Sequence, residues 1–340
     1  MKVVVTGGCG FIGSNFIRYF IKKHPHYEIL NIDKLTYAGN LKNLQGLEKN
    51  KNYSFAKTDI CNASAMKKTF KKFHPDAVIN FAAETHVDRS ITSASSFIKT
   101  NFLGVGVLLN LCLEFKIKKF LQISTDEVYG SILRGSFKES SRLDPSSPYA
   151  ASKAAADGLV MAYYKTHNLP VLITRSSNNY GPYQFPEKLI PLIITNALNN
   201  KKIPVYGDGK NVRDWLYTED NCEAIDMVLH KGRIGEIYNI GSKNELTNIY
   251  VIKEILKYVN KKESLITYVK DRPGHDRKYS LSMNKIKKQL GWQPKTPFAK
   301  GIKKTIQWYQ KNKKWLKNTQ TGKYRKFCKQ YYSKLGLKQI

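Results

Sequence analysis

Short apolar runs alternate with segments of helical periodicity through the first half of the chain. The runs at residues 2–6, 28–32, 53–57, 76–81, 120–123 and 169–175 carry branched and aromatic residues, which predicts buried strands. Helical patterns occupy residues 14–23, 63–73 and 93–115, and another helix begins at Pro148 behind an N-cap at Ser147. Strands and helices that alternate in this way predict an α/β fold with a doubly wound parallel sheet.

A glycine-rich loop follows the first strand directly. Gly7, Gly10 and Gly13 have the spacing G-x-x-G-x-x-G between a strand and a helix. Glycine permits the tight turn and lets backbone N–H groups approach a pyrophosphate, so the loop predicts a Rossmann-type dinucleotide site. Asp33 ends the second strand, where an acid binds an adenosine ribose and repels a 2′-phosphate. This favours NAD over NADP, although Lys34 beside it weakens the exclusion.

Residues that follow the next two strands extend the same edge of the sheet. Asp59 can contact an adenine amino group or cap the next helix, and the glycine loop makes us favour the adenine contact. Ala82 and Ala83 are small enough for the chain to pass against a cofactor. His86 is a possible catalytic base, but a polar loop histidine without such a role is the favoured interpretation.

The candidate catalytic residues follow the fifth strand and open the helix at Pro148. Thr125, Asp126 and Glu127 lie at the strand's carboxyl end, where open parallel sheets bind ligands. Tyr149 and Lys153 are four residues apart, so they share one face of the helix. A neighbouring ammonium should lower the pKa of the tyrosine and make it a proton acceptor. A lysine lying along a half-buried tyrosine would give the same spacing without catalysis.

The second half of the chain predicts a smaller substrate domain interleaved with the first. With 340 residues and 41% hydrophobic composition, the chain is long enough for more than one domain. Composition shifts to turn-rich residues at 176–183, and short helices, loops and strands follow to about residue 316. We therefore predict a dinucleotide-binding domain with the catalytic residues at 1–175, a mainly substrate-binding part at 176–316, and a tail at 317–340.

The net charge of +31 comes from 57 Lys and Arg residues, most of them lysines, against 26 acids. Dispersed lysines are more typical of a solvated surface than of a nucleic-acid interface, so no nucleic-acid partner is predicted. No apolar run approaches the length that spans a bilayer, and the N-terminus resembles a strand more than a signal peptide. The five cysteines are scattered. They predict free thiols in a cytoplasmic protein without a metal site.

The helix at 93–115 is a candidate for dimer formation. It has an apolar stripe at Phe97, Asn101, Val105, Leu108, Leu109 and Cys112. Together with the Tyr149 helix, it predicts a homodimer through a four-helix bundle. Core packing within one chain would produce the same stripe.

The chain resembles the extended short-chain dehydrogenase/reductases, and within them the nucleotide-sugar 4,6-dehydratases of the dTDP-glucose type. The resemblance covers nearly the whole chain and rests on residues 6–14, 33–40, 82–90, 124–130, 149–153, 178–191, 213–215, 271–277 and a tail segment at 322–331. The sequence differs from the family's usual residues at three positions. Thr85 stands where serine is common and Asn221 where histidine is frequent, and Cys9 lies within the glycine loop.

The resemblance implies a mechanism for the candidate catalytic residues. Tyr149 would take the proton of the sugar's 4-hydroxyl while NAD takes the C4 hydride, with Lys153 beside it and Thr125 bonded to the 4-oxygen. The resulting ketone makes the C5 proton acidic. Glu127 would remove that proton, and protonated Asp126 would donate to the departing C6 hydroxyl. Hydride return to C6 would regenerate NAD. The non-catalytic alternative for Asp126 is that it caps a helix or binds a ribose.

The family's binding positions also carry over onto this sequence. The implied NAD-binding residues are Gly7, Gly10, Phe11, Ile12, Gly13, Asp33, Lys34, Leu35, Thr36, Asp59, Ile60, Phe81, Ala82, Ala83, Thr85, Thr100, Tyr149, Lys153 and Asn179. The implied nucleotide-sugar residues are Thr85, Thr125, Asp126, Glu127, Asn178, Lys188, Leu189, Pro204, Tyr206, Arg213, Asn248, Asp271, Arg272 and His275. The two arginines suit a diphosphate because a guanidinium donates to two oxygens, although structural ion pairs would also explain them.

Three alternatives remain open from the sequence. A UDP-glucose 4,6-dehydratase would place a similar pyrimidine in the same pocket, and a UDP-sugar 4-epimerase needs Tyr149 but not the acids. The positive charge also permits a catalytically inactive NAD-sensing or nucleic-acid-binding protein. The intact set of Thr125, Asp126, Glu127, Tyr149 and Lys153 argues against the inactive protein, and its acids argue against the epimerase.

Overall fold

The structure, a computed structural model, describes residues 1–319, so the predicted similarity at 322–331 lies outside the described residues. The strands are β1 (Lys2–Thr6), β2 (Glu28–Asp33), β3 (Tyr53–Lys57), β4 (Ala77–Asn80), β5 (Lys119–Thr125), β6 (Val171–Ser176), β7 (Asn178–Tyr180), β8 (Ile203–Tyr206), β9 (Val212–Tyr217), β10 (Ile237–Ile240), β11 (Glu245–Thr247) and β12 (Ile266–Val269). Seven of them form one parallel sheet in the order β10-β6-β5-β4-β1-β2-β3. The predicted α/β fold with a parallel Rossmann-type sheet is confirmed.

Helices cover both faces of this sheet. The α-helices of residues 1–319 are α1 (Phe11–Lys23), α2 (Ala63–Phe73), α3 (Val87–Thr92), α4 (Ser95–Phe97), α5 (Gly104–Glu114), α6 (Pro148–His167), α7 (Leu189–Leu198), α8 (Thr218–Lys231), α9 (Asn248–Tyr258), α10 (Asn284–Leu290), α11 (Phe298–Lys311) and α12 (Lys313–Thr319). One apolar core joins α1, α8 and α10 to the sheet, and a second joins α2, α5 and α6 to its other face. The sheet is therefore doubly wound, as predicted.

The second half of the chain contributes to both parts of the molecule. A separate apolar core joins α7, α9 and α11 to the two smaller sheets, of order β11-β9-β7 and β12-β8. The chain then returns, because β10 pairs with β6 at the edge of the central sheet and α8 packs on α1. This return produces the interleaving of the two parts.

Local signals placed most helix ends correctly. Helix α2 has the predicted bounds, and the Ser147 hydroxyl accepts from the Ala150 amide to cap α6, with Pro148 at its first position. Helix α1 begins at Phe11, earlier than the predicted Ser14, because the Ser14 amide already donates to the Gly10 carbonyl at 3.0 Å. The glycine loop itself thus forms the start of the helix.

The predicted helix at 93–115 runs from Ser95 to Glu114, with a π-helical stretch at Ile98–Leu103 between α4 and α5. The apolar stripe proposed for a dimer is buried within the chain, so it is core. The exposed apolar residues of this helix are Ile98 and Leu103. Within residues 1–319, this helix alone is long and apolar enough to cross a membrane, but half of it is buried in the protein, as in core helices of soluble proteins.

Candidate active site

The glycine loop packs directly against the end of β4. Gly7 has a φ of +67°, and a Cβ at this position would lie 2.5 Å from the Ala82 amide nitrogen. A Cβ at Gly13 would lie 2.5 Å from the Gly7 carbonyl oxygen. Both positions therefore require glycine, which leaves backbone N–H groups at the start of α1 open to the cleft.

Asp33 is held at the cleft by the backbone on both sides. Its Oδ2 accepts from the Cys9 amide at 3.0 Å and its Oδ1 from the Leu35 amide at 2.8 Å, while burial raises the pKa of the carboxyl. Lys34 reaches across to the Thr100 hydroxyl at 3.2 Å and to Asp59 at 3.6 Å. The Leu35 side chain packs on the apolar core, so its contribution to the site is its backbone.

One cleft brings together most of the residues that the sequence singles out. Of the predicted cofactor residues, all except Leu35 line it: Gly7, Gly10, Phe11, Ile12, Gly13, Asp33, Lys34, Thr36, Asp59, Ile60, Phe81, Ala82, Ala83, Thr85, Thr100, Tyr149, Lys153 and Asn179. The predicted substrate residues that line it are Thr85, Thr125, Asp126, Glu127, Asn178 and Lys188. The candidate catalytic residues therefore share a cleft with the glycine loop.

The two adjacent acids have different surroundings. Thr125 ends β5 and its hydroxyl contacts both acids, donating to Asp126 Oδ1 and accepting from the Glu127 amide, each at 3.2 Å. Burial and the neighbouring Glu127 raise the pKa of Asp126 well above its usual range, with Arg213 opposing the shift. Burial also raises the pKa of Glu127, but Arg272, Lys188 and Arg213 all oppose it. Asp126 is thereby the better proton donor and Glu127 the better acceptor.

The prediction that Lys153 lowers the pKa of Tyr149 is wrong. Burial, followed by the charges of Glu127 and Asp126, raises the pKa of Tyr149. The Lys153 ammonium donates to the Ile123 carbonyl at 2.7 Å, and burial lowers its own pKa to about 8. Both side chains line the cleft, as their spacing predicted, but spacing alone could not show that burial and the two neighbouring acids determine the pKa of Tyr149.

The other predicted substrate residues lie beyond the lining of this cleft. Arg272 pairs with Asp88 at 3.1 Å, and the Tyr206 hydroxyl donates to the same carboxylate at 3.2 Å. His275 bonds Asp271 at 2.6 Å, and Arg213 donates to the Asp276 carbonyl and lies over the Tyr279 ring. Leu189 starts α7, Pro204 lies in β8 and Asn248 starts α9. The effect of Arg213 and Arg272 on the Glu127 pKa shows that both cations lie near the acids.

Buried polar residues that the sequence did not single out support the site. Asp157, 1% exposed, accepts from the Ser124 hydroxyl at 3.0 Å and from Arg175 at 2.8 Å, and its charge raises the pKa of Lys153. Its position one turn after Lys153 on α6 was the only signal available. His86, which the sequence offered as a possible base, is buried: burial lowers its pKa to about 3, and its ring accepts from the Arg89 amide to cap α3.

A second such group closes one side of the cleft. Glu187 accepts from the Tyr37 hydroxyl at 2.8 Å and from Arg89 at 3.3 Å, and the Arg89 guanidinium lies 3.9 Å from the centroid of the Tyr37 ring. Tyr37 belongs to the loop after β2 and Glu187 to the segment before α7. The two sides of the cleft are thus joined by a contact between residues 150 positions apart.

The cleft fits a polar ligand such as a dinucleotide. Within residues 1–319, five buried polar atoms that belong to its lining have no hydrogen-bond partner: Asp126 Oδ2, Ser177 Oγ, Asn178 Oδ1, Asn179 Oδ1 and Gln184 Oε1. Buried polar atoms are normally paired, so these atoms indicate a place for bound ligand groups.

Comparisons with known proteins agree with this site. The family model described as GDP-mannose 4,6 dehydratase matches residues 4–305. A dTDP-glucose 4,6-dehydratase of Salmonella typhimurium is 45% identical over 98% of this chain and 99% of its own length. The crystal structure of such an enzyme from Bacillus anthracis in complex with NAD is 48% identical, with a TM-score of 0.89 over 94% of this chain and 99% of that one. One from Streptomyces venezuelae, also with NAD bound, is 46% identical, with a TM-score of 0.92 over 94% of this chain and all of that one. The chain therefore belongs to the GDP-mannose 4,6-dehydratase family, within its dTDP-glucose 4,6-dehydratase group.

Proposed function

We propose that this protein dehydrates dTDP-glucose to dTDP-4-keto-6-deoxyglucose, a precursor of deoxysugars, with NAD as its resident cofactor. One observation carries the proposal: two adjacent acids line the cleft beside the glycine loop, and the pKa of Asp126 is raised well above its usual range while three cations oppose the rise in the pKa of Glu127. Elimination of water requires this combination of a proton donor and a proton acceptor. The cofactor fits because Gly7 and Gly13 let the loop fold tightly against β4 and the start of α1, and both the loop and Asp33 line the cleft.

Each catalytic side chain transfers one proton or forms one hydrogen bond in the proposed reaction. NAD, when bound, supplies a hydride acceptor at sugar C4, a hydride donor to C6 and a positive charge near the tyrosine. Tyr149 takes the proton of the 4-hydroxyl, and Thr125 bonds the 4-oxygen. Glu127 then removes the C5 proton, which the C4 ketone has made acidic, and Asp126 protonates the departing C6 hydroxyl. Lys153 acts as an ammonium beside the tyrosine.

The nucleotide diphosphate is expected on the side of the cleft where the cations lie. Lys188, Arg213 and Arg272 each lower the pKa of Glu127, so their charges act on the space beside the acids. A guanidinium can donate to two diphosphate oxygens at once. Asp88 holds Arg272 in a salt bridge and thus orients it towards this region. Thr85, Asn178, Leu189, Pro204, Tyr206, Asn248, Asp271 and His275 complete the proposed substrate site.

Replacing Glu127 by glutamine tests the reaction. The variant keeps the size and polarity of the side chain but loses the C5 base, which typically costs about 10²–10⁴-fold in rate. Mixed with dTDP-glucose, it should build up enzyme-bound NADH, seen by absorbance, and release the 4-keto-6-deoxy product slowly or not at all. UDP-glucose run in parallel separates the two nucleotide preferences.

The control is Glu219→Gln, an exposed acid on α8, which should behave as the parent enzyme. Product release by Glu127→Gln at the parent rate would contradict the role given to Glu127. A parent enzyme that converts dTDP-glucose to dTDP-galactose, or UDP-glucose to UDP-galactose, without a keto-deoxy product would support the epimerase alternative.

The proposed homodimer rests on the exposed side of the helix from Ser95 to Glu114. Ile98 is 51% exposed and Leu103 56% exposed on this helix, which packs beside α6 in the same chain. Two copies would bring four such helices together and cover both side chains. Leu103→Glu should therefore convert a dimer to a monomer in light scattering, whereas Leu133→Glu, an exposed loop residue, should leave the mass unchanged. A parent protein that is monomeric at micromolar concentration would refute this proposal.

A cytoplasmic location is also part of the proposal. Four cysteines in the described residues are free thiols: Cys9, Cys61, Cys112 and Cys222. Three of these thiols are buried, so they contribute packing and no crosslink. Free thiols and the use of NAD are both typical of a reducing compartment.

A further inference from the structure

Three potential metal ligands converge where the end of α1 meets α8. Asp226 and His230 lie one turn apart on the same face of α8, and His24 is the residue that follows α1. His24 Nε2 lies 2.8 Å and His230 Nδ1 2.9 Å from the same atom, Asp226 Oδ1. All three ligating atoms lie within 4.8 Å of one another.

We propose that His24, Asp226 and His230 form a binding site for a divalent transition metal ion, with Zn²⁺ as the reference ion. Two imidazole nitrogens and a carboxylate oxygen are ligands that Zn²⁺ takes at about 2.0–2.2 Å. Ligands at such distances from one ion are about 3 Å apart, close to the two separations to Asp226 Oδ1. The two histidine nitrogens lie within 4.8 Å of each other, so side-chain rotation would have to bring them to the spacing that one ion requires.

Two neighbouring tyrosines form hydrogen-bond contacts with two of the proposed ligands, Asp226 and His230. The Tyr27 hydroxyl lies 3.3 Å from His230 Nε2, so that nitrogen can keep its proton. His230 Nδ1 also lies 2.9 Å from the Asp226 backbone carbonyl oxygen, and binding of an ion at Nδ1 would replace this contact. The Tyr19 hydroxyl donates to Asp226 Oδ2 at 3.3 Å, which leaves Oδ1 directed at the two histidines. Outer hydrogen bonds of this kind fix the orientation of metal ligands. Stacking of His24 on Tyr27, with ring centroids 4.8 Å apart, adds to this order.

The site is open to solvent and distant from the active site. The side chains of His24 and His230 are 20% and 28% exposed, which gives an ion access and leaves room for water as a further ligand. The glycine loop lies at the start of α1 and His24 after its end, and a helix of this length spans about 20 Å. The ion would thus stabilise the packing of α1 on α8 without contacting substrate or NAD.

Metal titration of the metal-free, full-length protein tests the proposal. ZnCl₂ should bind with a stoichiometry of one per chain in calorimetry, and CoCl₂ should give visible absorption bands of a protein-bound ion. At free Zn²⁺ about 100 times the Kd, binding should raise the Tm by about 3–4 °C for a chain of this size. Turnover of dTDP-glucose should be unchanged, so the outcome is independent of the proposed function.

The variants His24→Gln and His230→Gln keep a polar side chain but remove one ligand each, and both should lose the cobalt bands and the Tm shift. His26→Gln, at an exposed histidine two residues after His24, should bind as the parent does. Binding with no fixed stoichiometry, or binding that survives in both ligand variants, would overturn the proposal. An absence of binding by the parent protein below millimolar ZnCl₂ would do the same.

Discussion

At the scale of single residues, the site places two neighbouring carboxyl groups in surroundings that shift their pKa values to different extents. Asp126 and Glu127 are adjacent in the chain, yet burial and Glu127 raise the pKa of Asp126 well above its usual range, while the charges of Arg272, Lys188 and Arg213 oppose the rise in the pKa of Glu127. The family resemblance assigned a proton-donor role to Asp126 and a proton-acceptor role to Glu127. It could not predict their pKa values, because these depend on burial and on cations far away in the chain. The expected lowering of the Tyr149 pKa was wrong for the same reason, because burial and the two acids raise it.

The protonation of Lys153 predicts the alkaline limit of activity. Burial lowers the pKa of this ammonium to about 8, and the charge of Asp157 opposes that shift. The charged form exists below this pKa, so kcat/KM for dTDP-glucose should fall as the pH rises through about 8. Asp157→Asn removes the opposing negative charge and should move the fall to lower pH.

The matched control is Ser124→Ala, which removes a hydrogen bond to Asp157 but keeps its charge. Its pH profile should follow that of the parent enzyme. An alkaline limit unchanged in Asp157→Asn would show that Asp157 has no influence on Lys153. Circular dichroism of each variant checks that the unpaired Arg175 has not disrupted the fold.

At the scale of elements, local patterns predicted strands and helices well because periodicity and caps are encoded nearby. The bounds of α2, the Ser147 cap and the strand before Thr125 all followed from adjacent residues. Contacts between elements were not accessible in this way. The group formed by Tyr37, Arg89 and Glu187 joins segments that no local pattern connects.

This contact predicts slow release of NAD. The Tyr37 loop and the segment with Glu187 both line the cleft, so we expect their contact to break before the cofactor leaves. A hydrogen bond to a charged group contributes about 1.5–3 kcal/mol, so Glu187→Gln should speed NAD release about 10-fold or more. Release can be followed by exchange of bound NAD with a labelled pool. Glu219→Gln should release NAD at the parent rate, and equal rates in all three proteins would exclude a role for this contact.

At the scale of the whole molecule, fold class and family followed from motifs spread along nearly the entire chain. The pairing of β10 with β6 in the central sheet could not be predicted, because a short apolar run gives no indication of which sheet edge it joins. The cluster of His24, Asp226 and His230 was missed for the same reason, since His24 is about 200 residues away from the other two. The net charge of +31 remains best explained by a solvated lysine surface.

In the proposed reaction, one hydride leaves C4 and returns to C6 of the same sugar while water is eliminated between C5 and C6. The most direct test supplies dTDP-glucose with deuterium at C4 and examines the product by NMR. We predict a 4-keto-6-deoxy sugar with that deuterium at C6, and a C5 hydrogen drawn from the solvent. A product that keeps deuterium at C4, as after epimerisation, or that loses it to the solvent would contradict the account.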